Sequence, residues 1–129
     1  MKTLFSRIVA GEIPAHKVAE NDQFLAFLDI MPLTKGHVLV IPKLEVDYIF
    51  DMEDDLLADM MVFAKGVSKK IKTSFVCKKV GVAVVGLEVP HAHIHLIPIN
   101  NVSDMNFSNA KLTLSSEELA DIALLLANA

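Results

Sequence analysis

The chain has 129 residues, a formal net charge of -4 and one cysteine, Cys77. One domain with a real apolar core is therefore expected, a disulfide framework and a cysteine-rich zinc module are excluded within the chain, and broad nonspecific DNA binding is argued against. With 53% hydrophobic and 22% charged residues it is not a disordered sequence, and its apolar runs are too short to span a bilayer. No long apolar stretch follows the first basic residue, so no signal peptide, no membrane partner and a reduced, cytoplasmic home are expected.

In chain order, residues 3–10 form a short helix or turn ended by Gly11 and Pro14. A short strand is expected over 16–18. A stronger one runs over 24–29 and stops at Pro32, Thr34 and Gly36. An apolar strand follows over 37–41, and the two make a hairpin with a longer loop. Asp51 or Asp54 caps the next helix, whose apolar residues recur at Leu56, Leu57, Met60, Met61, Ala64, Val67 and Ile71. Its acidic start (Glu53, Asp54, Asp55) and its lysine-rich end (Lys65, Lys69, Lys70, Lys72) both complement the helix dipole. Residues 74–85 read as one strand, or one broken near Gly81, with Cys77 buried in it. Residues 88–99 read as another strand, and 100–109 as an asparagine-rich loop. Ser115 with Glu118 forms a capping box for a helix over 116–126. The sum is α+β: a small antiparallel sheet, one long helix and short helices, in a single domain over 1–129. No glycine-rich loop with dinucleotide or P-loop spacing occurs.

The chemistry concentrates in three histidines. His91, His93 and His95 alternate with Ala92, Ile94 and Leu96. On a strand that spacing puts three imidazoles on one face, about 7 Å apart, and the apolar residues on the other. Three readings stand. The rings are satisfied structural histidines; or they chelate a transition metal, with Glu88 within reach; or they perform nucleophilic and acid–base chemistry on an anionic centre, which the strict alternation favours most. His37, after Gly36, starts a strand that can bring it to the same pocket. His16 carries no comparable signal.

The segment His91-Ala92-His93-Ile94-His95-Leu96-Ile97 resembles the His-Φ-His-Φ-His-Φ-Φ signature (Φ hydrophobic) of the histidine triad (HIT) family. Phe5, Ile8, Gly11-Glu12-Ile13-Pro14, Phe27-Leu28-Asp29-Ile30 and the run from Gly36 to Lys43 are similar to recurrent segments of its Hint-like branch, so the likeness covers roughly 3–99. The resemblance implies a HIT-like fold, a homodimer, and cleavage of a nucleoside monophosphate unit, AMP by family preference, from its leaving group. Substrates of that class are nucleoside phosphoramidates, aminoacyl adenylates or dinucleoside polyphosphates; no cofactor and no nucleic acid are implied. It makes His93 the nucleophile, His91 its orienting neighbour, and His95 and His37 flanking groups at the phosphate. It makes Asp29 the ribose acceptor, although that carboxylate also suits a turn cap. Phe5, Ile8, Phe27, Leu28 and Ile30 would line the base and sugar pocket.

The sequence departs from the family before the triad, where Gly86-Leu87-Glu88-Val89 replaces Gly-Gln-Ser/Thr-Val. Leu87 cannot donate the usual hydrogen bond toward the substrate, and the Glu88 carboxylate favours a cationic leaving group such as an amine. Lys79 stands near a recurrent asparagine, one residue out of register, and meets either phosphate or solvent. Thr3, Ser6 and Glu45 stand where many bacterial relatives hold zinc ligands, so no structural zinc is expected. The rivals are a dinucleoside polyphosphate hydrolase, a binding module with little turnover, a metal-dependent hydrolase, and a nucleotidyl transferase. The uridylyltransferase branch typically changes the last histidine, which is kept here as His95.

Overall fold

A computed structural model describes residues 2–129. The elements run α1 (Leu4–Val9), β1 (Lys17–Glu20), β2 (Phe24–Leu28), β3 (Val38–Pro42), α2 (Asp54–Ser74), β4 (Lys79–Ala83), β5 (Ile94–Ile99) and α3 (Ser116–Ala127), with short 3-10 turns at Ile49–Asp51 and Val102–Met105. The strands form one antiparallel sheet in the order β1-β2-β3-β5-β4. This is the α+β architecture expected from the sequence.

The two central strands, Phe24-Leu25-Ala26-Phe27-Leu28 and Val38-Leu39-Val40-Ile41-Pro42, are buried at every position, because both faces of the sheet are covered. Alternate residues part to opposite sides. Phe24, Ala26, Leu28, Val38, Val40, Ile94 and Leu96 pack against Met60, Ala64, Val67 and Ile71 of α2 and Leu119, Ala123 and Leu126 of α3. Leu25, Phe27, Leu39 and Ile41 face the other way, onto Phe5 and Ile8 of α1. Each such aliphatic or aromatic side chain contributes about 1.5–3 kcal/mol on full burial. His95 pairs with Leu39 across β3 and β5, so it lies on the α1 side of the sheet.

Several boundaries differ from the sequence expectation. The strand expected over 88–99 begins only at Ile94. His91 and His93 precede it, because the backbone at His91 and Ala92 is engaged elsewhere. The Ala92 amide donates to Val46 O at 2.6 Å, and the His91 carbonyl accepts from the His93 ring at 2.7 Å. The strand expected over 74–85 is shorter, since α2 runs through Ser74 and β4 occupies only Lys79–Ala83, unbroken at Gly81. Cys77 is therefore a half-buried loop residue, not a buried strand residue. The cap of α2 is Glu53 rather than Asp51 or Asp54, and its side chain makes no capping hydrogen bond; Asp54 and Asp55 occupy the first turn instead. The Ser115–Glu118 capping box forms as expected.

Gly36 is held at φ 93°, and a Cβ there would lie 2.9 Å from the Phe75 ring. Only glycine meets both conditions, and the turn it permits delivers His37 to the top of β3.

Candidate active site

The β2–β3 connection, the 91–93 segment and α1 converge on the α1 face of the sheet. All four histidines lie there, and all are buried. The rings of His93 and His95 have centroids 5.0 Å apart, and those of His37 and His95 5.2 Å. Phe5 meets His93 edge-on at 5.0 Å and Phe27 at 5.4 Å. His93, His95 and His37 thus form a contiguous row of rings, and His91 joins it through its carbonyl, even though only His95 lies within a strand.

The partners fix where each ring carries its proton. The His93 Nδ1 lies 2.7 Å from the His91 carbonyl, which can only accept, so Nδ1 carries the hydrogen. In the neutral ring Nε2 is left with its lone pair free. The Leu33 amide donates to His37 Nδ1 at 3.0 Å, so the His37 hydrogen sits on Nε2. That Nε2 donates to His95 Nδ1 at 2.9 Å, which in turn leaves the His95 hydrogen on Nε2. The His91 Nε2 donates to Pro42 O at 2.8 Å.

Burial favours the neutral form of His37, His91 and His95. It pushes the His37 pKa down to about 3, helped by His95, Lys111 and His93, and the His95 pKa down to about 4, helped by His93. Burial also lowers His91, against the opposing influence of the Pro42 carbonyl and Glu45. Asp29 is raised, again mainly by burial, with the Met31 amide acting in the opposite sense. That amide donates to Asp29 Oδ1 at 2.9 Å, so the carboxylate does cap its turn. The other oxygen stands 3.6 Å from His37 Nε2. Asp29, His37 and His95 present ligand atoms within 4.8 Å of one another, a donor set able to hold a divalent cation. The two histidine nitrogens facing each other there are already joined by the hydrogen bond just described.

The other residues named from the sequence distribute unevenly. Phe5, Ile8 and Phe27 form one apolar cluster beside the histidines. Leu28 is buried on the opposite face, among the α2 and α3 contacts. Ile30 is exposed at the rim, at 65%. Leu87 is 89% exposed and lines a separate open cleft with Tyr48, Phe50, Leu57, Met61 and Val84. Glu88 is exposed, and its charge contributes to the raised Asp29 pKa. Lys79 is exposed at the start of β4. Two neighbours of the site were not anticipated. Phe107 packs its ring edge-on to His95 at 4.9 Å, and Lys111, whose Nζ donates to the Phe107 carbonyl, acts electrostatically on both Asp29 and His37. They lie in or just beyond the asparagine-rich loop, and no spacing in the sequence ties them to the histidines.

A buried row of imidazoles, beside a carboxylate and an apolar wall, is an arrangement suited to nucleophilic displacement on an anionic ester or amide. The HIT domain model matches residues 10–102. An uncharacterized HIT-like protein of Methanocaldococcus jannaschii is 43% identical over 105 residues, covering 74% of this chain and 77% of its own. The adenosine 5'-monophosphoramidase of Schizosaccharomyces pombe is 40% identical over 103 residues, covering 78% of this chain and 77% of its own. Among solved structures, a HIT-like protein of Bartonella henselae superposes with a TM-score of 0.85 at 27% identity, covering 98% of this chain and 95% of that one. A zinc-bound histidine triad family protein of Mycobacterium smegmatis gives 0.82 at 28% identity, covering 99% and 95%. The chain belongs to the HIT domain family, in its Hint-like branch. With the family's histidine row complete, it is an enzyme of the hydrolase type. Among the described residues, no helix is long and apolar enough to cross a membrane.

Proposed function

We propose that the protein hydrolyses the bond between phosphorus and the leaving group in nucleoside 5'-phosphoramidates, releasing a nucleoside monophosphate, with AMP the preferred product. The observation that carries this reading is the 2.7 Å hydrogen bond from His93 Nδ1 to the His91 carbonyl, which leaves Nε2 as the nucleophilic lone pair. In the first step Nε2 attacks the α-phosphorus and the bond to the leaving nitrogen breaks, the departing amine taking a proton from solvent. In the second, water attacks phosphorus, the bond to Nε2 breaks, and the water's proton returns to solvent. Two displacements replace one difficult step. The His95 Nε2–H, held outward by the His37 relay, donates to a phosphoryl oxygen, and such fixed donors stabilise developing charge without reorganising. Asp29 accepts from the ribose hydroxyls, while Phe5, Ile8, Phe27 and Ile30 flank the base and sugar. The yeast relatives named adenosine 5'-monophosphoramidase favour this substrate class over others. The exposed Glu88 favours a cationic amine as leaving group; Glu88→Gln would erase any preference for cationic over neutral amines.

The working form is a homodimer. Support comes from β4, whose outer edge is unpaired in the monomer, and from the adjoining open apolar cleft of about 820 Å³ lined by Tyr48, Phe50, Leu57, Met61, Val84 and Leu87.

The test is AMP release from adenosine 5'-phosphoramidate and from a diadenosine polyphosphate, with and without EDTA, in wild type and His93→Ala. EDTA-resistant release from the phosphoramidate that is lost in the variant is expected. Release confined to the diadenosine polyphosphate would overturn the substrate class, and release abolished by EDTA would overturn the mechanism.

A further inference from the structure

The 91–93 segment is not held by a strand ladder, so something else must fix the carbonyl that orients His93. A polar cluster on the far side of His91 supplies it. Thr3 caps α1, its Oγ1 accepting from the Ser6 amide at 2.9 Å. The same Oγ1 lies 2.9 Å from His91 Nδ1, and Ser6 Oγ lies 3.4 Å from it. Glu45 closes the cluster, accepting from the Thr3 amide at 3.0 Å and from Ser6 Oγ at 2.5 Å. The His91 hydrogen is on Nε2, bound to Pro42 O, so Nδ1 can only accept; of the two acceptors facing the Thr3 hydroxyl, Nδ1 at 2.9 Å and Ser6 Oγ at 3.0 Å, the ring nitrogen is the more basic and takes its hydrogen. The Ser6 hydrogen is committed to Glu45. The neighbouring Val46 carbonyl accepts from the Ala92 amide at 2.6 Å, so residues 45 and 46 grip both α1 and the backbone following His91.

We propose that Thr3, with Ser6 and Glu45, is a positioning relay for the reaction: the Pro42 carbonyl keeps the His91 hydrogen on Nε2, the Thr3 hydroxyl binds Nδ1, and the ring fixed at both ends holds the His91 carbonyl on His93 Nδ1. The chain runs from Glu45 to Ser6 and Thr3, to the His91 ring, to the His91 carbonyl, and to the His93 ring. None of the first three residues touches substrate. Their contribution is to keep the nucleophile's lone pair aimed at phosphorus. This role rests on the function proposed above, in which His93 Nε2 attacks.

The experiment uses the full chain and pairs kinetics with ring-nitrogen NMR of His91 in the absence of substrate. Thr3→Val removes both the cap acceptor and the hydroxyl donor. Thr3→Asp keeps an acceptor for the Ser6 amide but has no proton to give at neutral pH, and Thr3→Ser keeps both. With adenosine 5'-phosphoramidate, Thr3→Val and Thr3→Asp are each expected to lower kcat about ten-fold with KM within about two-fold of wild type, whereas Thr3→Ser keeps kcat within about two-fold. Glu45→Ala should lower kcat as well, and Glu45→Gln, which retains an acceptor oxygen, should largely restore it. In wild type the His91 spectrum should report protonated Nε2 and an unprotonated, hydrogen-bonded Nδ1; Thr3→Val should shift the Nδ1 signal to that of an unbonded ring nitrogen, and Thr3→Asp, whose carboxylate attracts a proton to Nδ1, should shift it in the opposite sense. Unchanged kcat in Thr3→Val, or an equal loss in Thr3→Ser, would overturn the relay. An inert wild type would refute the substrate assignment instead, and the ring signals alone would then decide: an Nδ1 that is protonated in wild type, or unchanged in Thr3→Val, overturns the relay.

Discussion

Acidification should unfold this protein through its histidines before its carboxylates take part. His37 and His95 are 1% and 8% exposed, with pKa values lowered from 6.5 to about 3 and about 4. A basic group with a depressed folded pKa binds its proton in the unfolded chain first. The stability it confers is complete above the unfolded value, about pH 6.5, and falls as pH drops toward the folded value. Each such ring contributes a slope of about 1.4 kcal/mol per pH unit in that window, so the pair gives about 2.7. His91, also lowered, steepens it further. From about pH 6.3 to about pH 5 the loss is therefore about 3 kcal/mol or more, a large share of the 5–15 kcal/mol typical of a domain. The lowered carboxylates Glu20, Glu45 and Asp104 act in the same direction only below about pH 4.5, near their ordinary values. Asp29, raised by burial, acts in the opposite direction and only once it begins to protonate. The assay is urea unfolding at fixed protein concentration, since dimerisation would make stability depend on it, at closely spaced pH values between about 5 and 7. His95→Phe should remove about 1.4 kcal/mol per pH unit of the slope while keeping an aromatic ring against Phe107 and His93. A flat profile in wild type, or an unchanged slope in His95→Phe, would refute the assignment of neutral buried rings.

Gly36→Ala should cost about 2 kcal/mol or more, because alanine is strained at positive φ and its Cβ would press on the Phe75 ring; a midpoint equal to wild type in thermal unfolding would contradict this. Met60, fully buried between α2 and the sheet, should cost about 2–5 kcal/mol on truncation to alanine, while Val62→Ala, on the exposed side of the same helix, should cost less than about 1, as read by urea unfolding. Phe107→Ala opens the outer side of His95 to water, so the His95 pKa should move up toward its ordinary value; ring NMR titration reads it directly, and an unmoved titration would count against Phe107 as a cover.

The central hairpin was legible because Phe24–Leu28 and Val38–Pro42 are apolar runs stopped by Pro32 and Gly36, and no competing period exists within them. Helix α2 was legible through Met60, Ala64, Val67 and Ile71, which recur at helical spacing and are the residues it buries. The boundaries around 74–93 were not legible. Alternation in 88–99 looks like a strand, but a ladder also requires free backbone partners, and a side-chain ring took the His91 carbonyl. At the site, the alternation of His91, His93 and His95 located the row but not its protons, which depend on Pro42, Leu33 and Thr3. Leu87 and Glu88 sit next to the motif in sequence, yet Leu87 turns to the other cleft, while Phe107, distant in sequence, packs on His95.

The two halves of the histidine row are wired differently, and this separates their tasks. His93 and His91 are tied through a main-chain carbonyl to α1 and residues 45–46, a network that ends at the Glu45 carboxylate. His37 and His95 are tied through the Leu33 amide to the β2–β3 turn that also carries Asp29. The first network leaves a lone pair free at His93 Nε2, and the second leaves a donor free at His95 Nε2. In the reaction proposed above, His93 as nucleophile and His95 as electrostatic stabiliser need opposite occupancy of Nε2 by hydrogen at one pH. Here the difference is set by what each Nδ1 faces, a carbonyl oxygen for His93 and a ring N–H for His95. Removing the His37 ring nitrogen, as in His37→Phe, frees His95 to take either tautomer. It should therefore weaken the stabilisation of the phosphoryl oxygen while leaving the proton on His93 Nδ1, a split that ring-nitrogen NMR of both residues would show.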